Sequence, residues 1–374
     1  MPFLATLDPD AARQKTHSTP DGNEPRRFPR AARQKNPAEG EIAIVASISR
    51  RQLNKVVLTS LGTAAVAGAA GAFASRALAA ETLNFQSIWL NDPEFIGYMI
   101  AIDNGYYAAE GFHVNYMPGG PDVIPEGSLL SGKADISLTH LTGVVKAVAE
   151  RGAALKVIGT QYQKSPVGVI SLEQSNIRQP KDLVGKTVAC PPLSMSTFLA
   201  TLKVNNVPRE KVRVVPYTFS PVPLVKGEVD AVVDFVIELP FLAEQKGGKK
   251  TSYFLVWDAG MPLFIDLFTV TADTLKNKRS QLVKFLRASR KGWIENNADP
   301  SKYPARFAST WFKGNGSSLE AENFHNRAQI PFMANPKGLF VLDAASIDAS
   351  LAALEHVGLK GSRDIFDLTL LAEV

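Results

Sequence analysis

The sequence predicts an α/β protein of two lobes, each a mainly parallel sheet flanked by helices, with a ligand cleft between the lobes. Three observations predict it. From residue 82 onward, short apolar or alternating runs exchange with helical stretches at the spacing of strand–helix units. The rhythm restarts after Asp182, so two such units follow in series. Gly, Pro and Ser cluster at one end of each unit, the composition of loops around a groove. A length of 374 residues suits two ordinary domains or one large one.

Residues 82–89 alternate apolar and polar side chains and read as a strand. A helix over 95–104 ends at Gly105, and 113–117 form a second strand closed by Pro118-Gly119-Gly120. A helix over 124–130 stops at Gly132, 134–138 are a third strand, and 142–150 a helix ended by Gly152. Residues 156–159 and 168–171 are further short strands. In the second unit, strands over 186–190, 212–215 and 231–235 alternate with helices over 196–205 and 221–226. From about Thr271 the chain reads as helical and polar-faced, with Trp293, Trp311 and Phe332 as packing anchors. The expected division is 80–170 with 265–374 in the first lobe and 171–264 in the second, joined near 165–171 and 261–269.

Charge and composition remove several classes. The net charge is +5. Residues 1–79 hold 11 Lys and Arg against 6 Asp and Glu, leaving 30 of each sign beyond them. A neutral body has no electrostatic footprint for a phosphate backbone, so no nucleic-acid partner is expected. One Cys excludes an internal disulfide and any Cys-built zinc or iron–sulfur site. Five scattered histidines show no metal spacing, and Gly-x-Ser-x-Gly, phosphate-loop and His-Glu-x-x-His motifs do not occur. Neither a cofactor nor a metal nor a catalytic residue is expected. Cys190, at a strand end, reads as a small buried hydrophobe.

Residues 1–48 are Pro-rich and polar, repeat Ala-Ala-Arg-Gln-Lys, and lack apolar periodicity; they read as disordered or as an upstream start. Residues 49–79 follow. Ser49-Arg50-Arg51-Gln52-Leu53-Asn54-Lys55, then an Ala/Gly-rich run and Ala77-Leu78-Ala79, resemble a twin-arginine export signal cleaved near Ala79. The run is too poor in Leu and Phe for a membrane anchor, and Cys190 is too far downstream for lipidation at the cleavage point. The expected product is soluble and periplasmic, delivered by the twin-arginine machinery.

Four further motifs stand in order: Gly105-Tyr-Tyr-Ala-Ala-Glu-Gly-Phe112, Ser131-Gly-Lys-Ala-Asp-Ile136, Ile177-Arg-Gln-Pro-Lys-Asp-Leu-Val-Gly-Lys186 and Lys226-Gly-Glu-Val-Asp-Ala231. Over residues 82–270 the chain thereby resembles the periplasmic substrate-binding proteins of ABC importers for nitrate, sulfonates, taurine and thiamine-type pyrimidines. The resemblance implies a type II periplasmic binding-protein fold that closes by a hinge. It also implies a small-molecule solute, an inner-membrane ABC permease with ATPase subunits as partner, and a monomer. A sister branch with the same fold, the thiamine-pyrimidine synthases, carries Lys and His four apart and a Cys-rich iron motif. Here those positions read Thr139 and Gly143, and 261–265 read Met-Pro-Leu-Phe-Ile, so no enzyme activity is expected.

In open α/β sheets ligands bind beyond the carboxyl ends of strands. In the first lobe that rule selects Trp89, Asn91, Asp92 and Phe95, then Gly119, Thr139 and His140, then Tyr162. In the second lobe it selects Ser194, Ser196 and Thr197 at a helix start, Tyr217, Asp234 and Glu238. None of these segments carries Lys or Arg, which a nitrate or sulfonate would want. Aromatic faces with a carboxylate suit a flat heterocycle bearing N–H donors, such as a thiamine pyrimidine precursor.

Overall fold

A computed structural model describes residues 81–217 and 219–374, so the N-terminal extension and the expected export signal lie outside the described residues. In chain order the strands are β1 (Glu81–Gln86), β2 (Phe112–Met117), β3 (Ile136–Thr139), β4 (Leu155–Thr160), β5 (Val167–Leu172), β6 (Thr187–Cys190), β7 (Arg213–Pro216), β8 (Ala231–Phe235), β9 (Thr251–Leu255) and β10 (Leu267–Thr271). The helices are α1 (Ile96–Asp103), α2 (Tyr106–Ala109), α3 (Pro125–Leu130), α4 (Leu141–Arg151), α5 (Pro192–Val204), α6 (Val222–Lys226), α7 (Leu239–Gly247), α8 (Ala272–Asn277), α9 (Arg279–Ala298), α10 (Pro304–Phe307), α11 (Leu319–Met333) and α12 (Ala344–His356).

Two five-stranded sheets organise them, in orders β2-β1-β3-β10-β4 and β7-β6-β8-β5-β9. β1 runs parallel to β2 and β3, whereas β10 lies antiparallel between β3 and β4. β6 runs parallel to β7 and β8, whereas β5 lies antiparallel between β8 and β9. Each sheet is thus mixed, with one reversed strand, rather than parallel throughout. The chain passes from the first sheet to the second after Thr160 and returns after Leu255.

Three sequence expectations are corrected here. A division at 170/171 would cut β5, which is hydrogen-bonded to β8 and β9 along Val167–Leu172 and belongs whole to the second sheet. β9 and β10 were not expected as strands. Both are strands whose partners lie far off in sequence, and β10 fills a gap that the strand–helix rhythm does not reveal. The start of α5 also shifts: it begins at Pro192, where a fixed φ suits the first helical turn, so Ser194, Ser196 and Thr197 lie inside the helix and cap nothing.

Helix α9 explains how the C-terminal third is held. Leu282, Phe285, Leu286, Ser289, Gly292, Trp293 and Asn296 are buried at helical spacing. That stripe lies on α1. A Cβ on Gly292 would stand 2.1 Å from the Gly97 carbonyl oxygen, and one on Gly97 would stand 2.3 Å from the Trp293 ring. The two glycines therefore allow the backbones to touch. We expect Gly292→Ala to lower unfolding free energy by about 3 kcal/mol, because backbone cannot yield as a side-chain tip can; an unchanged denaturation midpoint would contradict this packing account. Around the crossing, Phe285 meets Phe85 edge-on at 5.0 Å and stacks on Tyr107 at 5.5 Å. Trp293 is fully buried, while Trp311 and Phe332 are only half-buried.

Candidate functional site

The two passages between sheets touch each other. The Gln161 amide donates to the Asp266 carbonyl at 2.9 Å, and Asp266 itself holds a left-handed φ of 53°. Gln161 also accepts from the Tyr98 hydroxyl at 2.7 Å and donates to the Glu94 carbonyl at 2.7 Å. This junction ties the short helical turn Pro93–Phe95 to the crossovers.

On one side of the junction lies an aromatic file reaching from lobe to lobe. Trp89 follows β1 in the first lobe and meets Phe219, beyond β7 in the second, with ring centroids 5.3 Å apart and planes tilted by 50°. Phe219 in turn lies 5.3 Å from Tyr217. Trp89 is half-buried, Phe219 is 51% exposed and Tyr217 is buried. Trp89 is held in place by Gly119, whose amide donates to the Trp89 carbonyl at 2.8 Å. Any Cβ on Gly119 would come within 2.3 Å of the Ile88 carbonyl carbon. Gly119 thus seats the Trp89 loop.

Beside the aromatic file stand six carboxyls. The Tyr217 hydroxyl donates to Asp234 Oδ2 at 2.6 Å, and the Phe235 amide donates to Asp234 Oδ1 at 2.7 Å. Burial outweighs these bonds and pushes Asp234 up to about 6. Glu238, the N-cap of α7, is pushed to about 7 by burial, then by the charges of Asp234 and Glu322. Burial likewise lifts Glu322, on α11, to about 7. Asp92 caps the 93–95 turn by accepting from the Glu94 amide at 2.8 Å. Its carboxyl is raised well above the usual range by burial, then by Glu238, Glu322 and Asp266.

Glu94 and Asp266 are buried side by side. Neither oxygen of Asp266 has a hydrogen-bond partner among the described residues, and the Asp266 charge disfavours ionisation of Glu94 beside it. Burial, with the neighbouring carboxyl, raises Glu94 well above its ordinary value, and burial lifts Asp266 to about 6. None of the six gains a Lys or Arg counter-charge. Lys226, near in sequence to Asp234 and Glu238, faces Glu228 instead.

A separate cavity lies between α4 and α5, with His140, Ser194, Thr197, Val233 and Phe264 among its walls and about 40 Å³ open to water centres. None of the aromatic-file or carboxyl residues lines it. His140, the N-cap of α4, is held neutral there, its pKa lowered to about 4 by burial.

The structure therefore sorts the expected residues. Trp89 and Tyr217 belong to the aromatic file, Asp92, Asp234 and Glu238 to the acidic cluster beside it, and Asn91 adjoins that cluster through Asn315. His140, Ser194 and Thr197 gather around the other cavity. Ser196, also on α5, is exposed and lines neither. Three expectations fail because the side chain points into the first lobe. Phe95 is fully buried core, Thr139 exchanges a 2.7 Å hydrogen bond with Thr269, and Tyr162 donates to Gln329 at 3.0 Å with no exposed surface. Reasoning from strand ends missed Glu94, Phe219, Asp266 and Glu322. Glu94 stands two residues from Asp92, and Asp266 lies within the segment expected to join the lobes. Glu322, inside a polar-faced helix, carries no signal of its own.

These features define a class: a two-lobed α/β protein of the periplasmic binding-protein fold. Residues 92–303, more than half of the chain, match the NMT1/THI5-like family, and the chain belongs to it. It is similar to the formylaminopyrimidine-binding protein of Halalkalibacterium halodurans, 27% identical over 229 residues that cover 59% of this chain and 68% of that one. It is also similar to the riboflavin-binding protein RibY of Chloroflexus aurantiacus, 23% identical over 56% of this chain and 60% of that one. Among solved structures, the periplasmic aliphatic sulphonate binding protein SsuA of Escherichia coli superposes with a TM-score of 0.56. That match is 15% identical and covers 74% of this chain and 91% of SsuA. A DszB mutant in complex with biphenyl-2-sulfinic acid shares the fold at a TM-score of 0.53 and 13% identity, covering 78% of this chain and 98% of that one. Among the described residues no helix is long and apolar enough to cross a membrane.

Proposed function

We propose that this chain is the solute-binding component of an ABC import system, and that its solute is a small heteroaromatic ring bearing N–H donors, like a thiamine pyrimidine precursor. One observation carries the reading: the cleft pairs an aromatic file drawn from both lobes with carboxyls that have no protein cation. Stacking on Trp89, Phe219 and Tyr217 holds a ring's plane, and Asp234 with Glu238 accepts from its amine. A carboxylate buried without a donor is costly, so donors from the solute are what this cleft lacks. Sulfonate or nitrate would enter among carboxyls with no Lys or Arg to receive it. The formylaminopyrimidine-binding and riboflavin-binding relatives support a heterocycle.

The residues also speak against the synthase chemistry of the sister branch. Thr139, at the lysine position, is bonded into the sheet and offers no amine, and Gly143, at the histidine position, offers no imidazole. On this reading the site would bind its solute without reacting with it. Capture would proceed by hinging of the lobes about the 161–166 and 256–266 passages. The closed form, a monomer, would then dock on the inner-membrane permease with its ATPase subunits. The twin-arginine machinery would deliver the chain to the periplasm, with cleavage near Ala79.

Calorimetric titration of the purified protein against aminopyrimidines, riboflavin, nitrate and alkanesulfonates tests this reading. Aminopyrimidines are expected to bind and to raise the melting temperature by mass action. Tight binding of a sulfonate or nitrate with no response to any ring compound would end it.

A further inference from the structure

On the first-lobe side, Glu322 Oε2 and Asn91 Oδ1 are buried acceptors without a donor. Glu322 is 3% exposed. A single side chain sets these two residues side by side: Asn315 Nδ2 donates to Glu322 Oε1 at 2.5 Å and to the Asn91 carbonyl at 3.2 Å. Asp92 is next in the chain, within electrostatic reach of both Glu322 and Glu238. The second lobe is brought opposite by Phe324 on α11, two residues beyond Glu322, which stacks on Phe241 of α7 with centroids 5.0 Å apart. Among the described residues no three acidic, His or Cys side chains converge closely enough to hold a metal ion. The two unpartnered acceptors and the neighbouring Asp92 carboxyl therefore call for a donor other than a bound metal ion.

We propose that Asn91, Asp92 and Glu322 form a subsite for a protonated amine on a short arm of the ring, so that this chain takes an ammonium-bearing heterocycle in preference to one whose arm is formylated. The inference rests on the ring reading above and adds the chemistry of the arm. An ammonium brings three donors and a positive charge, which matches two carboxyls and a free amide oxygen. A formamide arm brings one N–H and sets its own carbonyl oxygen among acceptors, which satisfies less and repels more. Glu238, at the head of α7, closes the subsite from the other lobe.

The test titrates the full-length protein with two compounds: an aminopyrimidine carrying an aminomethyl arm and its N-formyl counterpart. The free amine should bind at least about 10-fold more tightly, the scale of one charge-assisted hydrogen bond. Glu322→Gln and Asp92→Asn should each bring the ratio within about 2-fold, chiefly by weakening the amine compound. Asn retains the oxygen that caps the 93–95 turn, so Asp92→Asn removes a second charge of the subsite without loss of the cap. Equal or tighter binding of the formyl compound by the unsubstituted protein would overturn the subsite and leave the ring reading intact. So would variants that weaken both compounds alike. Failure of both compounds to bind would overturn the ring reading and the subsite together.

Discussion

Replacing Glu322 by Gln should make the ligand-free protein more stable near neutral pH, by roughly 5 °C in melting temperature near pH 8, with little change near pH 5. Gln keeps the oxygen that accepts from Asn315 and removes the charge. The sign follows from the direction of the shift. Burial raises the folded-state Glu322 to about 7 from an ordinary value of 4.5. A carboxyl raised on folding contributes its stability below the unfolded value and loses it as pH climbs through the folded one. Glu238 (about 7), Asp234 and Asp266 (both about 6) act in the same sense. His325, on the same helix and lowered to about 3 by burial, stays neutral across this window. Each raised Glu is worth on the order of 3 kcal/mol between the two ends of the range. The ligand-free protein should therefore melt higher near pH 5 than near pH 8, and a cationic solute should narrow that difference. Melting curves across pH for the protein and for Glu322→Gln measure it directly. A melting temperature that rises steadily from pH 5 to 8 without ligand would refute the acidic cleft.

Trp89→Ala should weaken heterocycle binding by about 30- to 100-fold, equivalent to roughly 2–3 kcal/mol, because a stacked indole face removes most of one ring surface from water. Trp89→Phe should retain most of the affinity. The fold should tolerate both changes: Trp89 is half-buried, and its aromatic contact is with the exposed Phe219. Calorimetry on the two variants separates stacking from general damage. Affinity unchanged in Trp89→Ala would remove the aromatic file from the site.

Much of the fold was legible because its signals are local. Strand–helix alternation, Gly at helix ends and Pro at helix starts depend on neighbours within a few residues. They placed helices within two residues of α1, α3, α4 and α6. The strand-end rule selected Trp89, Asp92, Tyr217, Asp234 and Glu238 from sheet geometry alone, and these residues belong to the aromatic file and acidic cluster on which the proposed site rests. It misjudged Thr139 and Tyr162, where the side chain of a strand-end residue turns toward the lobe interior. Pattern shows that such a residue ends a strand, not which way its side chain points.

The sequence by itself determined the class of fold, the neutral body, the lack of a cysteine metal site, and the want of basic residues in the segments facing the cleft. Composition and short-range periodicity carry all of these. Only the tertiary structure decided that β10 and β5 run against their sheets, and that Phe219 reaches across to Trp89. It alone brought Glu94, Asp266 and Glu322, drawn from a capped turn, a crossover and a C-terminal helix, into one acidic cleft. The physical reason is that burial and like-charge proximity belong to the space between elements, and that space exists only once distant segments have packed.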